Sequence, residues 1–542
     1  MVEPHHGISL CMLSEKFFFT LKLIIGITIA FLFLHRCIMF IDPDMGWHLR
    51  AGEWIVTHQQ IPHEDLFSYT LSNHEWIAHE WLLEAVFYTM AVLGMWWLLI
   101  ILFFFFAFVP IAVWLFRAQS VLSLFLITLA GVIMHSIVGV RPQVLSFFLF
   151  FLCYEFILKQ TDAKHRQKIL LVAPLFFLLW ANVHASFPAG LILFGCSIVG
   201  TILHHYSEKK SLYNRLFLAE VTSFSFSVIA TLFNPYGLAL WYEVISGTLT
   251  PINKYIIEWQ YALPVWPIGL PAFLALSIGT IFLFRKKFSI AQHVAFGFFL
   301  LFAIRRARII MQFFAIAVDM AVSAADRFME TAHANKDKEV KRTIGMIEGF
   351  LVGAIVFALA MQISSREVVD TYRPDFDAPQ MLERACAHFA CGNTFNDFNL
   401  GGAQILINPD RGVFAAGYMP HWTDNEGWSP TKEGMLRLRT ETTHEEDIEY
   451  YMKLFQRYNV SSVMIARPAV ISLPHMPQWM MNMYMPFVLG GAPQKNLITI
   501  LEDADWCTIY QNDQSVIMLS PINCPHQTVF GSTDSLQQEV PR

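Results

Sequence analysis

Two aspartates separated by one residue stand where a long apolar run ends, in "IDPDMGWHLRAGEW", residues 41–54. Paired carboxylates offer hard oxygen donors of the kind that suit Mg²⁺ or Mn²⁺. Pro43 biases Asp42 towards an extended backbone, and Asp44 is placed to cap a helix that begins near Gly46. In that helix Trp47, Ala51, Trp54, Ile55 and His58 fall on one side, and Arg50, Glu53 and Thr57 on another. That is the pattern of a helix lying in a membrane interface. The plain alternative makes Asp44 only a cap and Asp42 only a solvated helix end; the pairing beside a long loop tips the reading towards a site. Further on, "HEWIAH" sets His74 and His79 five residues apart, about 140° around a helix, so it lacks the i, i+4 spacing of a metalloprotease motif. His79 and Glu80 open the next helix. They can face the aspartates and complete a divalent-metal site, or serve equally as interfacial polar residues.

The elements that must position these groups are membrane helices. The 542 residues are 55% hydrophobic and 15% charged, with a mean hydropathy of +0.45, more apolar and less charged than soluble domains. Apolar stretches long enough to span about 30 Å of hydrocarbon recur from residue 17 to residue 362. The run at 17–41 is too long for a signal-peptide core and no small-residue cleavage site follows it, so it is expected to remain as a first helix. Basic loops at 159–168, 207–215, 285–287 and 326–342 mark one side as cytoplasmic. Alternation then puts the N-terminus inside, and the loop 42–77, the segment 233–269, the turn 305–308 and everything after 363 outside. Four apolar pieces (79–93, 95–116, 121–140 and 143–158) lie between an outer and an inner loop, and an even number of crossings cannot connect them. One piece must lie in the interface, or two must form a broken or re-entrant pair, and the break at "RPQ" makes the last two suspects, because Pro142 interrupts a helix. About 11 to 12 helices are expected, not all full spans. Residues 366–542 are more polar, with strand-like runs ("VSSVMIA", "WCTIYQ", "SVIMLS") and a helical "HEEDIEYYMKLFQRY". The fold class is therefore a polytopic α-helical membrane protein, residues 1–365, with a C-terminal extracytoplasmic α/β domain. In an oxidising compartment Cys386 and Cys391 can pair.

An acidic pair after the first helix, a loop with interfacial helices and "HEWL" opening the next helix resemble the GT-C superfamily of integral-membrane glycosyltransferases. More narrowly, "DPDMGWHLRAGEWI…IPHEDLFSYT…HEWL" resembles bacterial membrane proteins related to protein mannosyltransferase-like and aminoarabinose-transferase-like enzymes. "ANVHASF", "NPYG", "EW" (258–259) and "NDFNLGG" stand where that set carries comparable motifs. Gly46 departs from it, where an aromatic residue often precedes the tryptophan. The resemblance implies transfer of a sugar from a polyprenyl-phosphate-type donor to an acceptor at the outer face of a bacterial inner (plasma) membrane, with membrane lipids and no nucleic acid as partners. Such chemistry needs a carboxylate to accept the acceptor's proton, which Asp42 or Asp44 can do, the other serving as metal ligand; the sequence does not assign them. It also needs cations or a metal at the leaving phosphate. Arg305, Arg306 and Arg308 face outwards against the positive-inside tendency, unless the alternation slips and they form a cytoplasmic turn. Arg141 is a further candidate, or else an anchoring arginine. Asn182 and His184 close a helix at its outer end, and Glu258 lies in the long outer segment, so all three are candidate substrate contacts. The candidate metal set is Asp42, Asp44, His79 and Glu80, for Mg²⁺ or Mn²⁺.

Two other classes fit the composition. A polytopic transporter or lipid flippase is expected to show repeats and charges at the bilayer midplane; here the charges gather at one interface and no repeat is visible. A non-catalytic scaffold can keep the same architecture.

Overall fold

A computed structural model describes residues 15–40, 42–160, 162–209, 211, 215–266, 269–364, 377–389, 391–424, 426–434, 443–466, 497–512 and 515–524. The expected domain boundary at 365/366 lies outside the described residues. The N-terminal part is helical: α1 (Glu15–Met39), α2 (Met45–His58), α3 (Trp81–Val92), α4 (Trp96–Arg117), α5 (Val121–His135), α6 (Pro142–Cys153, prolonged by a π turn Tyr154–Leu158), α7 (Ala163–Val183), α8 (Phe187–Ser207) and α9 (Arg215–Ala230). It continues with α10 (Leu238–Leu249), α11 (Ala262–Val265), α12 (Gly269–Leu283), α13 (Ile290–Arg305), α14 (Ile310–His333) and α15 (Lys338–Ser364). Among the described residues, six helices are long and apolar enough to cross a membrane by length and composition: α1, α4, α7, α8, and segments centred on α14 and α15. The chain is an integral membrane protein. α14 forms the axis of the bundle, and its apolar residues from Ile310 to Ala325 are almost all buried.

Contacts at the helix ends give the path. The residues leading into α5 reach the C-terminal half of α14, where the Gln119 N–H donates to Asp326 (3.0 Å). The segment after α5 reaches the opposite end, where Arg141 meets Asp42 (2.8 Å). Lys159, after α6, returns to Asp319 of α14 (2.6 Å). Thus α5 and α6 each run from one end of the bundle to the other, and the expected re-entrant pair is corrected. Pro142 starts α6 instead of breaking a helix, because the first helical position needs no N–H donor. The piece that does not cross is α3, whose twelve residues extend only about 18 Å. With α3 set aside, the crossing count becomes odd and the topology closes.

A second expectation changes for the same reason. α2 does not lie free in an interface. It is clamped between α3 and a C-terminal helix, Gly401–Ile407, and Met45, Trp47, His48, Ala51 and Ile55 are buried. Glycines make this possible. A Cβ at Gly52 would stand 2.1 Å from the Glu84 carbonyl oxygen, and one at Gly46 would stand 1.8 Å from that of Gly402.

The C-terminal part holds a four-stranded sheet in the order β1-β2-β4-β3, from β1 (Asn393–Asn396), β2 (Val460–Ala466), β3 (Cys507–Gln511) and β4 (Ser515–Leu519). β1 and β2 are parallel and the other pairs antiparallel. Tyr451, Leu454 and Phe455 of helix His444–Arg457 pack on one face of the sheet, and Ala378 and Leu382 of helix Asp377–His388 on the other. Helix His444–Arg457 is started by a reciprocal capping box between Thr443 and Glu446. Cys386–Cys391 is a disulfide, as the sequence allows, and Cys507–Cys524 is a second. Cys37, Cys153 and Cys196 are free and buried; Cys11 lies outside the described residues.

Candidate functional site

Asp44 stands at the N-cap of α2 but makes no capping hydrogen bond with its side chain. Its carboxylate is turned instead towards Gly417 of the C-terminal part, where a Cβ would come within 1.8 Å of Oδ1. Burial, then the neighbouring charge of Asp42, pushes the Asp44 carboxyl up to about 6. A helix cap held by its own side chain has no need of such an environment. Asp42 is buried, and its Oδ1 accepts the Asp44 backbone N–H (3.0 Å).

A ladder of alternating charge rises from Asp42. Arg141 Nε lies 2.8 Å from Asp42 Oδ2, and Arg141 Nη2 lies 2.6 Å from Glu258 Oε1. Glu258 Oε2 then meets Arg308 Nη1 at 3.1 Å. Exposure increases along the ladder, from 4% for the Asp42 side chain to 35% for Glu258 and 30% for Arg308. Against the cost of burying it, Arg141 and Arg308 hold the Glu258 carboxyl down at about 2, so it stays ionised. Arg306 donates to the Trp259 carbonyl (2.8 Å), and Arg306 and Arg308 both approach the Trp259 ring. Arg305 is exposed and forms no ion pair among the described residues. The arginine turn therefore lies at the same end of the bundle as the aspartates.

A second cluster lies beneath α2. Glu80 is surrounded by three imidazoles: His48 Nε2 at 3.4 Å, His184 Nε2 at 3.2 Å and His79 Nε2 at 3.6 Å. His48 Nδ1 also meets Glu84 Oε1 at 3.3 Å. Burial opposes a charge on His48, but Glu80 and Glu84 outweigh it and hold its imidazole up to about 9. Burial dominates at His184 and pushes it down to about 3. Its Nδ1 accepts the Ser186 N–H (3.0 Å), so the neutral ring carries its proton on Nε2, towards Glu80.

Two further motifs hold segments around the site together. Asn182 accepts from Trp81 Nε1 (3.1 Å) and donates to the carbonyls of Leu178 and Phe233, tying the end of α7 to α3. "NPYG" is a turn, and Tyr236 uses it to reach the first loop, donating to the Pro62 carbonyl (2.6 Å).

No protein-family model and no curated protein matches the chain. Solved structures do. The Archaeoglobus fulgidus oligosaccharyltransferase in its apo form shares 12% identity, covering 96% of this chain and 76% of that one, with a TM-score of 0.46. ArnT from Cupriavidus metallidurans in the apo state shares 10% identity, covering 94% of this chain and 100% of that one, with a TM-score of 0.48.

The expected metal set is divided between the two clusters: Asp42 pairs with Arg141, while Glu80 and His79 sit with His48 and His184. Among the described residues no three His, Cys, Asp or Glu side chains are arranged to hold a metal ion. Asp42 is already paired with the Arg141 guanidinium. As placed, the four expected donors do not converge on one point. His48, Glu84 and Gly417 were not picked out from the sequence. His48 lies four residues after Asp44 and Glu84 four after Glu80, so helical spacing alone aligns them. Gly417 comes from a segment far along the chain and carried no signal.

Proposed function

We propose that this protein is a membrane glycosyltransferase that moves a sugar from a polyprenyl-phosphate-type lipid donor to an acceptor hydroxyl at the end of the bundle that carries Asp44, the outer face of the membrane. The observation that carries the reading is the continuous ladder Asp42–Arg141–Glu258–Arg308, which joins the acids of the first loop to the arginine turn. Asp44 is the base. It takes the acceptor's proton as the acceptor oxygen bonds to the anomeric carbon. The bond from that carbon to the phosphate oxygen breaks, and the leaving phosphate keeps the electron pair. Arg305 and Arg308, exposed or half-exposed at the top of the ladder, meet that charge. Asp42 and Glu258 hold Arg141 and Arg308 in place. The two disulfides of the C-terminal domain support its extracytoplasmic placement, because such bonds persist in oxidising compartments.

The test is donor consumption by purified protein in lipid, across a panel of polyprenyl-phosphate sugars. Asp44→Asn is expected to lower turnover by roughly 10²- to 10⁴-fold while the protein stays monodisperse. Unchanged turnover in that variant, or no turnover of any donor by the parent, sinks the reading. Transport of a labelled substrate into proteoliposomes that survives Asp44→Asn replaces it with the transporter.

A further inference from the structure

α10 is too short to cross a membrane. Its twelve residues rise only about 18 Å, against about 30 Å of hydrocarbon. It sits at the end of the bundle that carries Asp44: a Cβ at Gly247 would stand 3.7 Å from His421 Nδ1, and His421 is four residues past Gly417. One side of the helix is engaged. Glu243 pairs with His421 (3.0 Å), and Leu240 is buried. Trp241 donates from Nε1 to the Thr231 hydroxyl (3.0 Å) and meets the Phe187 ring edge-on at the start of α8. The other side is bare. Leu238, Tyr242, Ile245 and Leu249 are 72%, 77%, 52% and 74% exposed. At 3.6 residues per turn these four fall within about 60° of the circumference, opposite Leu240, Glu243 and Gly247. A narrow, uncharged stripe of large side chains on one helix marks a contact surface.

The surface of the bundle says what covers the stripe. α7 is a membrane span on which Leu171, Leu175 and Leu179 are exposed. α9 packs along α7 and adds exposed Leu218, Phe226 and Ile229. Phe233, in the turn between α9 and α10, is exposed as well and carries that surface on to Leu238. An apolar face continuous with lipid-facing helices meets the same lipid. We propose that α10 lies in the plane of the membrane at the Asp44 end, with Leu238, Tyr242, Ile245 and Leu249 sunk into the acyl boundary of that leaflet and the C-terminal segment 417–422 seated on its back. Helices with one apolar stripe adopt this position, and a tyrosine within the stripe suits the boundary between water and hydrocarbon. α10 thus takes the interfacial role that the sequence pattern suggested for α2, which the fold buries instead. The proposal stands apart from the sugar-transfer reading and needs no substrate.

The experiment attaches a nitroxide to Tyr242→Cys and, separately, to Leu249→Cys in the full chain. Each is placed in nanodiscs of phosphatidylcholine and phosphatidylglycerol, and depth is read from collisions with oxygen and with a water-soluble nickel chelate. The parent, treated with the same reagent, supplies the background from its own cysteines. Both labels are expected about 5–10 Å below the phosphates, at the same depth as each other. A helix standing upright would separate them by seven residues, about 10 Å, and that result overturns the proposal. A label on Lys453→Cys, exposed on helix His444–Arg457, should collide freely with nickel. Nickel collisions as frequent at the two stripe positions put the stripe in water and also overturn the proposal. So does spin–spin broadening between labelled copies, which assigns the stripe to a second chain. Leu238→Cys and Ile245→Cys lie on the same stripe and replace either position should a labelled variant fail to fold.

Discussion

Asp44 is the residue on which the proposed chemistry turns, and its surroundings set a pH signature. A base works only when deprotonated. With its carboxyl raised to about 6 by burial and by Asp42, Asp44 is protonated below that pH and ionised above it. Turnover should therefore fall as pH drops through about 6, with the slope of a single proton. Asp42→Asn removes one cause of the rise and frees more of the Arg141 charge to act on Asp44. The acid limb of the kcat/KM profile should then move to lower pH. A limb that stays or moves upwards removes Asp44 from the role of base. Gly417 adds a positional test. Its Cβ would overlap Asp44 Oδ1, so Gly417→Ala must push the carboxylate aside. A displacement of that size is expected to lower kcat roughly 10²-fold. Gly353→Ala, in α15 with open space around it, should be silent in the same assay.

At the level of elements, α2 is the hinge-pin between bundle and C-terminal part. It touches α3 through Gly52 and the helix Gly401–Ile407 through Gly46, and Arg50 donates to the Leu406 carbonyl (2.8 Å). Tyr69 and Thr70 of the first loop add hydrogen bonds of 2.8 Å to the carbonyls of Thr394 and Phe414. The obstacle to a side chain at Gly46 is a backbone carbonyl, which cannot rotate out of the way. Gly46→Ala is therefore expected to cost about 1–3 kcal/mol as an overpacked contact. Hydrogen exchange read by mass spectrometry should show faster exchange in Gly401–Ile407 and α2, with α14 unchanged. Equal acceleration in α14 would mean that the contact holds the whole bundle instead.

For the molecule as a whole, contacts put residue 15 beside Asp326 and the sheet domain against α2 and the first loop, at opposite ends of the bundle. A cysteine placed at Lys453, exposed on helix His444–Arg457, is expected to react with an impermeant maleimide added to intact cells. One placed at Lys168 in the basic loop should react only after the membrane is opened. The reverse pattern would falsify the orientation. The disulfide Cys507–Cys524, seventeen residues apart, also bears on stability. Its removal as Cys507→Ser/Cys524→Ser should lower the stability of the domain by about 3 kcal/mol, through the larger freedom of its unfolded chain. Denaturant melts with and without reductant measure it.

The sequence by itself determined what depends on local pattern. Apolar length marked the helices of the bundle, the strand-like runs at 460–466, 506–511 and 515–520 became β2, β3 and β4, and the acidic pair and the arginine turn were legible as types at positions. Only the tertiary structure decided what depends on which distant groups meet. It showed that α3 is the piece that does not cross, that Asn182 braces a helix end, and that His79 and Glu80 belong with His48 and His184 and not with Asp42. The reason is physical. Periodicity records which face of an element is apolar, but a carboxylate's partner is chosen by three-dimensional proximity. Arg141 and Glu258 are 117 residues apart, and Asp44 and Gly417 come from the two ends of the chain, so no spacing rule could join them.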